Sequence, residues 1–101
     1  MFIGVGRYEI FIPDSRSLKD KRQVLRSVTQ NVHNKLHLSV AEVDYQDKWQ
    51  RAAVGVSCVA ESIGHCRKML QEAEKVISRA VIGVAEISGR QTTVVSLEDV
   101  M

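Results

Sequence analysis

The residues best equipped for chemistry lie between Asp44 and Arg51. Asp44-Tyr45-Gln46-Asp47-Lys48-Trp49-Gln50-Arg51 holds the chain's only tryptophan, one of its two tyrosines, two glutamines and alternating charge, where a minimal hairpin needs only Asn-Gly or Asp-Gly. Trp and Tyr rings offer flat surfaces on which unpaired bases stack, and Gln and Arg supply hydrogen bonds, so the stretch could recognise single-stranded RNA. A structural reading is equally economical: Trp49 folds over the end of the core, Asp47 shapes the turn, and Arg51 pairs with Asp44 or Glu42.

A second constellation is electrostatic. At about 100° per residue, Lys19, Arg22, Arg26 and His33 fall within about 60° of one another if residues 17–36 are helical, beside the apolar face rather than opposite it. The stripe is roughly 21 Å long at about 1.5 Å rise per residue, comparable to several successive phosphates of one strand. Arg16 and Lys21 thicken its start. Positive charge in a first helical turn opposes the helix dipole, which Asp20 offsets only in part, and this local cost favours a functional reason. The competing reading is a solvated face of good helix formers.

For catalysis the materials are thin. Glu9, Glu42, Asp44 and Asp47 could approach one another on adjacent strands and act as acid and base or hold a metal, which would make a metal-dependent hydrolase. No residue order marks a nucleophile. The serines lack a G-x-S-x-G setting, and Gly4-Val5-Gly6 opens no helix and makes a poor phosphate loop. His65 and Cys66, adjacent on a helix, point about 100° apart. Cys58 and Cys66 are spaced C-x7-C, neither a zinc knuckle nor a redox pair, and read as two small buried hydrophobes. The expectation is a non-enzymatic protein with no cofactor and no metal.

The elements that must position these residues follow from periodicity. Residues 2–12 are rich in Phe, Ile, Val and Tyr and stop at Pro13-Asp14, giving a first strand. Leu18, Leu25, Val28, Val32 and Leu36 recur at steps of 7, 3, 4 and 4, one buried face of a helix over 17–36 capped by Ser15 or Ser17. Residues 38–45 and 51–60 read as an antiparallel pair joined by the Trp49 stretch. Ser62 caps a second helix in which Ile63, Cys66, Leu70, Ala73 and Ile77 keep a 3-4-3-4 rhythm. That rhythm continues through Val81, Val84 and Ile87, so the helix is carried to about residue 85 and 91–97 becomes the last strand, ending in an acidic Glu98-Asp99 tail. A strand from 82 to 88 hairpinned at Gly89-Arg90 competes with this. The order β-α-β-β-α-β predicts an α+β, ferredoxin-like sandwich: a four-stranded antiparallel sheet with both helices on one face.

The other sheet face must meet water or protein. Tyr8, Ile10 and Ile12 point one way, while Ile3, Val5 and Phe11 alternate on the open side alongside Arg7 and Glu9, which leaves that face half apolar. This suggests a homo-oligomer, most simply a dimer, unless a β-bulge near Gly4 or Gly6 flips the parity.

The chain's 101 residues, 45% apolar and 26% charged, make one domain, residues 1–101. A net charge of +2 is too weak to announce a nucleic-acid or membrane partner. Segregation of that charge matters more. No leader or membrane span is evident, which predicts a cytoplasmic protein without a membrane partner.

Three blocks of sequence carry a family resemblance. Ser15-Arg16-Ser17-Leu18-Lys19-Asp20-Lys21-Arg22, then Ser39-Val40-Ala41-Glu42-Val43-Asp44, then Gln46-Asp47-Lys48-Trp49-Gln50-Arg51-Ala52 followed by Gly55-Val56, resemble the YlxP-like family of small bacterial proteins of unknown function. The motif positions are Ser17, Leu18, Glu42, Asp44, Gln46, Asp47, Trp49, Gln50 and Arg51, and the similarity spans roughly residues 2–80. The resemblance implies a ferredoxin-like fold. Family members often sit genetically beside translation-initiation and ribosome-maturation factors, which implies a ribosome-linked partner, RNA or a ribosomal particle, but no activity. The stretch 81–101 extends beyond the usual end of the family.

Overall fold

Phe2–Phe11 form β1, Leu18–Leu36 α1, Ser39–Asp44 β2, Arg51–Ala60 β3, Ile63–Ala80 α2, Glu86–Ser96 β4 and Leu97–Val100 a last turn, α3. The computed structural model describes residues 1–100; the side chain of Asp99, in the expected acidic tail, and Met101, the last residue of the expected 1–101 domain, lie outside the described residues. The strands pair antiparallel in the order β2-β3-β1-β4. With α1 and α2 packed together on one face, this is the expected split β-α-β arrangement. Among the described residues no helix is long and apolar enough to cross a membrane.

Both helix starts are written locally. Ser17 Oγ accepts the Asp20 N–H at 3.0 Å while the Asp20 carboxylate accepts the Arg16 N–H at 3.0 Å, a reciprocal cap that stabilises the basic first turn. Ser62 caps α2 through the His65 N–H at 3.1 Å. α1 ends where His37 takes φ 56° and donates to the His33 carbonyl at 2.9 Å.

The expected end of α2 needs correction. The helix stops at Ala80, not near 85, and residues 81–85 form turns in which Val84 and Ala85 donate to the Val81 carbonyl at 3.0 and 2.9 Å. Gly83 at φ 83° takes a backbone position that a β-branched neighbour would resist. The apolar rhythm ran on because Val81 is buried in the core, whereas Ile82 and Val84 are exposed. The last strand is likewise longer than 91–97. β4 pairs along the whole of β1, from Phe11↔Glu86 to Phe2↔Ser96, with a bulge that leaves Ser88 unpaired. Gly89-Arg90 therefore runs straight through a strand. Glycine suits position 89 because a Cβ there would stand 2.8 Å from Glu9 Oε2.

Parity in β1 is kept. Gly4, Gly6, Tyr8 and Ile10 face the helices, and Val5, Arg7, Glu9 and Phe11 face the open side, with the bulges in β2 and β4 instead. Gly4 lets α2 approach, and Gly6 makes room for the Tyr8 ring. A Cβ on Gly4 would meet Cys58 Sγ at 2.7 Å, and one on Gly6 would meet the Tyr8 hydroxyl at 2.7 Å. The Tyr8 ring lies back over Gly6 so that its hydroxyl donates to the Leu70 carbonyl at 2.8 Å, and burial pushes its pKa up to about 12. Cys58 and Cys66 are free and buried, and burial raises the Cys58 thiol, which makes it a weak nucleophile. Replacing Gly6 with Ala drives a methyl into a ring fixed at both ends. We expect a loss of about 1–3 kcal/mol in urea unfolding, and an unchanged midpoint would mean the Tyr8 ring can move aside.

Candidate functional site

The β2–β3 connection is held from below by a residue expected on the surface. Lys21 is 1% exposed, so it does not belong to the basic stripe. Its position on α1, one turn before Leu25 and on the same face, points the side chain under the loop, where Nζ donates to the carbonyls of Tyr45 at 2.7 Å, Gln46 at 3.3 Å and Arg51 at 3.4 Å. Those bonds use the three ammonium protons. Glu42 Oε2, 3.0 Å from the same nitrogen, is buried without a hydrogen bond of its own, so its attraction to Lys21 is Coulombic. Gln50 anchors the other side, its Nε2 donating to the carbonyls of Pro13 at 3.0 Å and Ser15 at 3.4 Å.

On the open face the same loop enters an ionic network. Arg7 Nη2 meets Asp44 Oδ2 at 2.9 Å, and Arg7 Nη1 lies 3.3 Å from Glu9 Oε1. The Tyr45 hydroxyl donates to Glu9 Oε1 at 2.8 Å and accepts from Arg51 Nη2 at 2.9 Å. Arg51 covers the Tyr45 ring at 4.1 Å, and Arg7 stands 5.7 Å from its centroid. Arg51 therefore pairs with Tyr45 and Glu9, not with Asp44 or Glu42. Tyr45 stands at φ 62° where the chain turns out of β2, and Arg51 lies over its ring. A bulge at Val43 turns Tyr45 onto this face, and period-two counting has no signal for it.

Three of the four carboxylates that could have met are already paired, and Asp47 is exposed away from them. Glu9 is engaged by Tyr45, Arg7 and Arg51, Asp44 by Arg7 and Glu42 by Lys21, and the described residues hold no group of three or more His, Cys, Asp or Glu that could bind a metal ion. The Tyr45 hydrogen bond, then Arg7, hold the Glu9 carboxyl below its ordinary value.

What the loop leaves exposed is Trp49, 55% accessible. It does not fold over the core. With Phe11, Lys48, Gln50 and Arg51 it lines a shallow depression of about 450 Å³. The turn is closed by the Lys48 N–H on the Tyr45 carbonyl at 3.0 Å, and Gln46 and Asp47 are exposed. Lys19, Arg22, Arg26 and His33 are all exposed along α1, as the helical spacing predicts, and Arg16 is exposed just before it. His33, with Gln30, Ser39 and Val40, borders a shallow groove that puts this side of the helix toward the β2 edge. Of the motif blocks, then, Ser17 caps, Lys21, Glu42, Asp44, Gln50 and Arg51 hold the loop, and Trp49 has no structural partner in that network.

The family described as "Protein of unknown function (DUF503)" matches residues 3–88. This chain belongs to that family. The DUF503 assignment is supported by the "Uncharacterized protein YlxP" of Bacillus subtilis (strain 168), 42% identical over 69 residues, which are 68% of this chain and 75% of the relative. Among solved structures, a de novo designed protein with ferredoxin fold, LFR1 1, superposes with a TM-score of 0.59 at 11% identity, covering 95% of this chain and 86% of the design. The intact alpha subunit of aIF2 from Pyrococcus abyssi gives 0.51 at 13% identity, over 97% of this chain and 35% of the subunit. These likenesses show that the DUF503 chain has a ferredoxin-like fold.

Two outcomes test the site's construction. Lys21→Met leaves Glu42 and three carbonyls buried without their cation and should cost about 3–5 kcal/mol in denaturant unfolding. Adding Glu42→Leu should return part of that, and a mild single variant would mean the loop is held by other contacts. Because the folded Glu9 pKa lies below the unfolded value, its stabilisation is complete above pH 4.5 and fades as pH falls through the folded value. The acid limb of the stability curve should thus be flatter for Glu9→Gln than for the wild type; coincident limbs would show that the network adds nothing.

Proposed function

We propose that this chain is a cytoplasmic, non-enzymatic protein that binds single-stranded RNA, free or displayed by a ribosomal particle. The observation that carries the reading is Trp49, an exposed ring on a loop rigidly tied to the start of the basic helix. A base that stacks on Trp49 would have Lys48 and Arg51 beside its phosphate. Through the Lys21 bonds the same loop borders the first turn of α1, from which Lys19, Arg22 and Arg26 continue for about 10 Å, enough for two or three further phosphates. Arg16 stands at the start of this track and His33 at its far end. Phosphate contacts would supply salt-dependent affinity, and the ring would favour unpaired bases over a duplex, whose bases are already stacked.

The single tryptophan gives a direct readout. Its emission should be quenched by a short single-stranded RNA at low salt, and Trp49→Ala should weaken binding by about 1–3 kcal/mol measured by anisotropy of a labelled RNA. Replacing Lys19, Arg22 and Arg26 together by Gln should lower the slope of log K against log salt by about 2 without moving the melting temperature. Absence of binding by the wild-type protein at low salt, to single-stranded RNA and to ribosomal subunits alike, would overturn the proposal.

A further inference from the structure

β2 and β4 are the two edges of the sheet, and they are built differently. β2 is short, bulged at Val43 and carries Glu42 and Asp44, features that discourage pairing with another strand. β4 has none of this protection beyond its bulge. From Gly89 to Ser96 it runs in unbroken register with β1, and residues 91–96, Gln-Thr-Thr-Val-Val-Ser, contain no charge and no proline. Among the described residues its outer side pairs with no strand. The one charged side chain of the run, Arg90, is drawn off the edge by Glu74 of α2 at 2.6 Å.

We infer that β4 is the interface to a second copy of this chain, joined antiparallel about a two-fold axis perpendicular to the sheet. In that symmetry the same sheet face of both copies points the same way, so paired residues must share parity and the axis must pass through a residue position. An axis at Arg90 would oppose like charges. One at Thr93 pairs Thr93 with itself, Gln91 with Val95, Thr92 with Val94 and Arg90 with Ser96, opposes no two charges, and forms roughly six to eight hydrogen bonds between the strands.

The helix above this edge supplies an independent argument. Arg67, Gln71 and Glu74 lie on one stripe of α2 and, with Arg90 and Thr92, line a groove of about 350 Å³ that opens toward the β4 edge. A two-fold beside Thr92 and Thr93 reverses the stripe in the partner, so Arg67 of one copy faces Glu74 of the other and Gln71 faces itself. Among the described residues Arg67 makes no ion pair within its own chain. The stripe is therefore charge-complementary to its own symmetry mate. The open face is a poorer candidate. Arg7, Glu9, Asp44, Tyr45 and Arg51 already satisfy one another across half of it.

This assignment stands apart from RNA binding and is tested without RNA. Sedimentation equilibrium of the whole chain at micromolar concentrations should give twice the chain mass. Thr93→Lys places two like charges at the axis and should raise the dimer dissociation constant about tenfold or more, and Arg67→Glu should weaken it too. Val5→Lys and Phe11→Lys, on the open face, should leave it intact. Within residues 90–96, the alternate amides that point away from β1 should lose hydrogen-exchange protection on dilution, and those bonded to β1 should keep it. A monomer up to 100-fold higher concentration, or a dimer broken by Val5→Lys and unaffected by Thr93→Lys, would overturn the inference.

Discussion

One buried ammonium organises the part of this molecule that differs from a bare sandwich. Lys21 lies on the core face of α1, yet its nitrogen reaches two carbonyls of the β2–β3 connection, that of Arg51 at the start of β3 and the Glu42 carboxylate. Burying a charge is costly unless every donor finds an acceptor, and here the acceptors are main-chain oxygens held in place by the loop and the start of β3. The arrangement stabilises both sides at once. It fixes the path of the loop, and with it the position of Trp49 and the start of β3 at Arg51.

With the loop fixed, its side chains are divided between two faces. Tyr45 turns to the open face, where Arg51 covers its ring and its hydroxyl joins Arg51 to Glu9. Exposed ion pairs of this kind contribute little one by one, and their value lies in the shared geometry of a network. Trp49 is left outside, beside Phe11, Lys48, Gln50 and Arg51. An apolar ring held rigidly in water loses little entropy on binding, which is why such a residue suits recognition.

The layer architecture was legible from the residues because each element's period matched its burial. Tyr8, Ile10 and Ile12 fall on one side of β1, and Leu25, Val28 and Val32 on one side of α1, and all are buried. β3 has the bounds that alternation predicts, and both serine caps hold their helices. The errors have a common form. Val81 continues the helical rhythm because it is buried, but it is buried at a turn, and Gly89-Arg90 resembles a hairpin signal while lying within a strand whose partner reaches past it. Lys21 is the sharpest case, since a lysine on a helix reads as solvated unless something opposite can receive its charge.

The sequence by itself determined the order of elements, the two helix starts, the β1 parity and the exposure of Lys19, Arg22 and Arg26. These depend on spacing and local hydrogen bonding, which act over a few residues. Only the tertiary structure decided where α2 ends, how far β4 runs, that Lys21 is an anchor and not part of a stripe, and that Arg51 and Tyr45 serve each other. Lys21 reaches a carbonyl 24 residues away, the run of β4 follows the length of β1, and Arg51 and Tyr45, six residues apart, meet because the loop between them folds back. Local pattern carries no record of such distances, because long-range pairing is set by which surfaces meet after the layers pack.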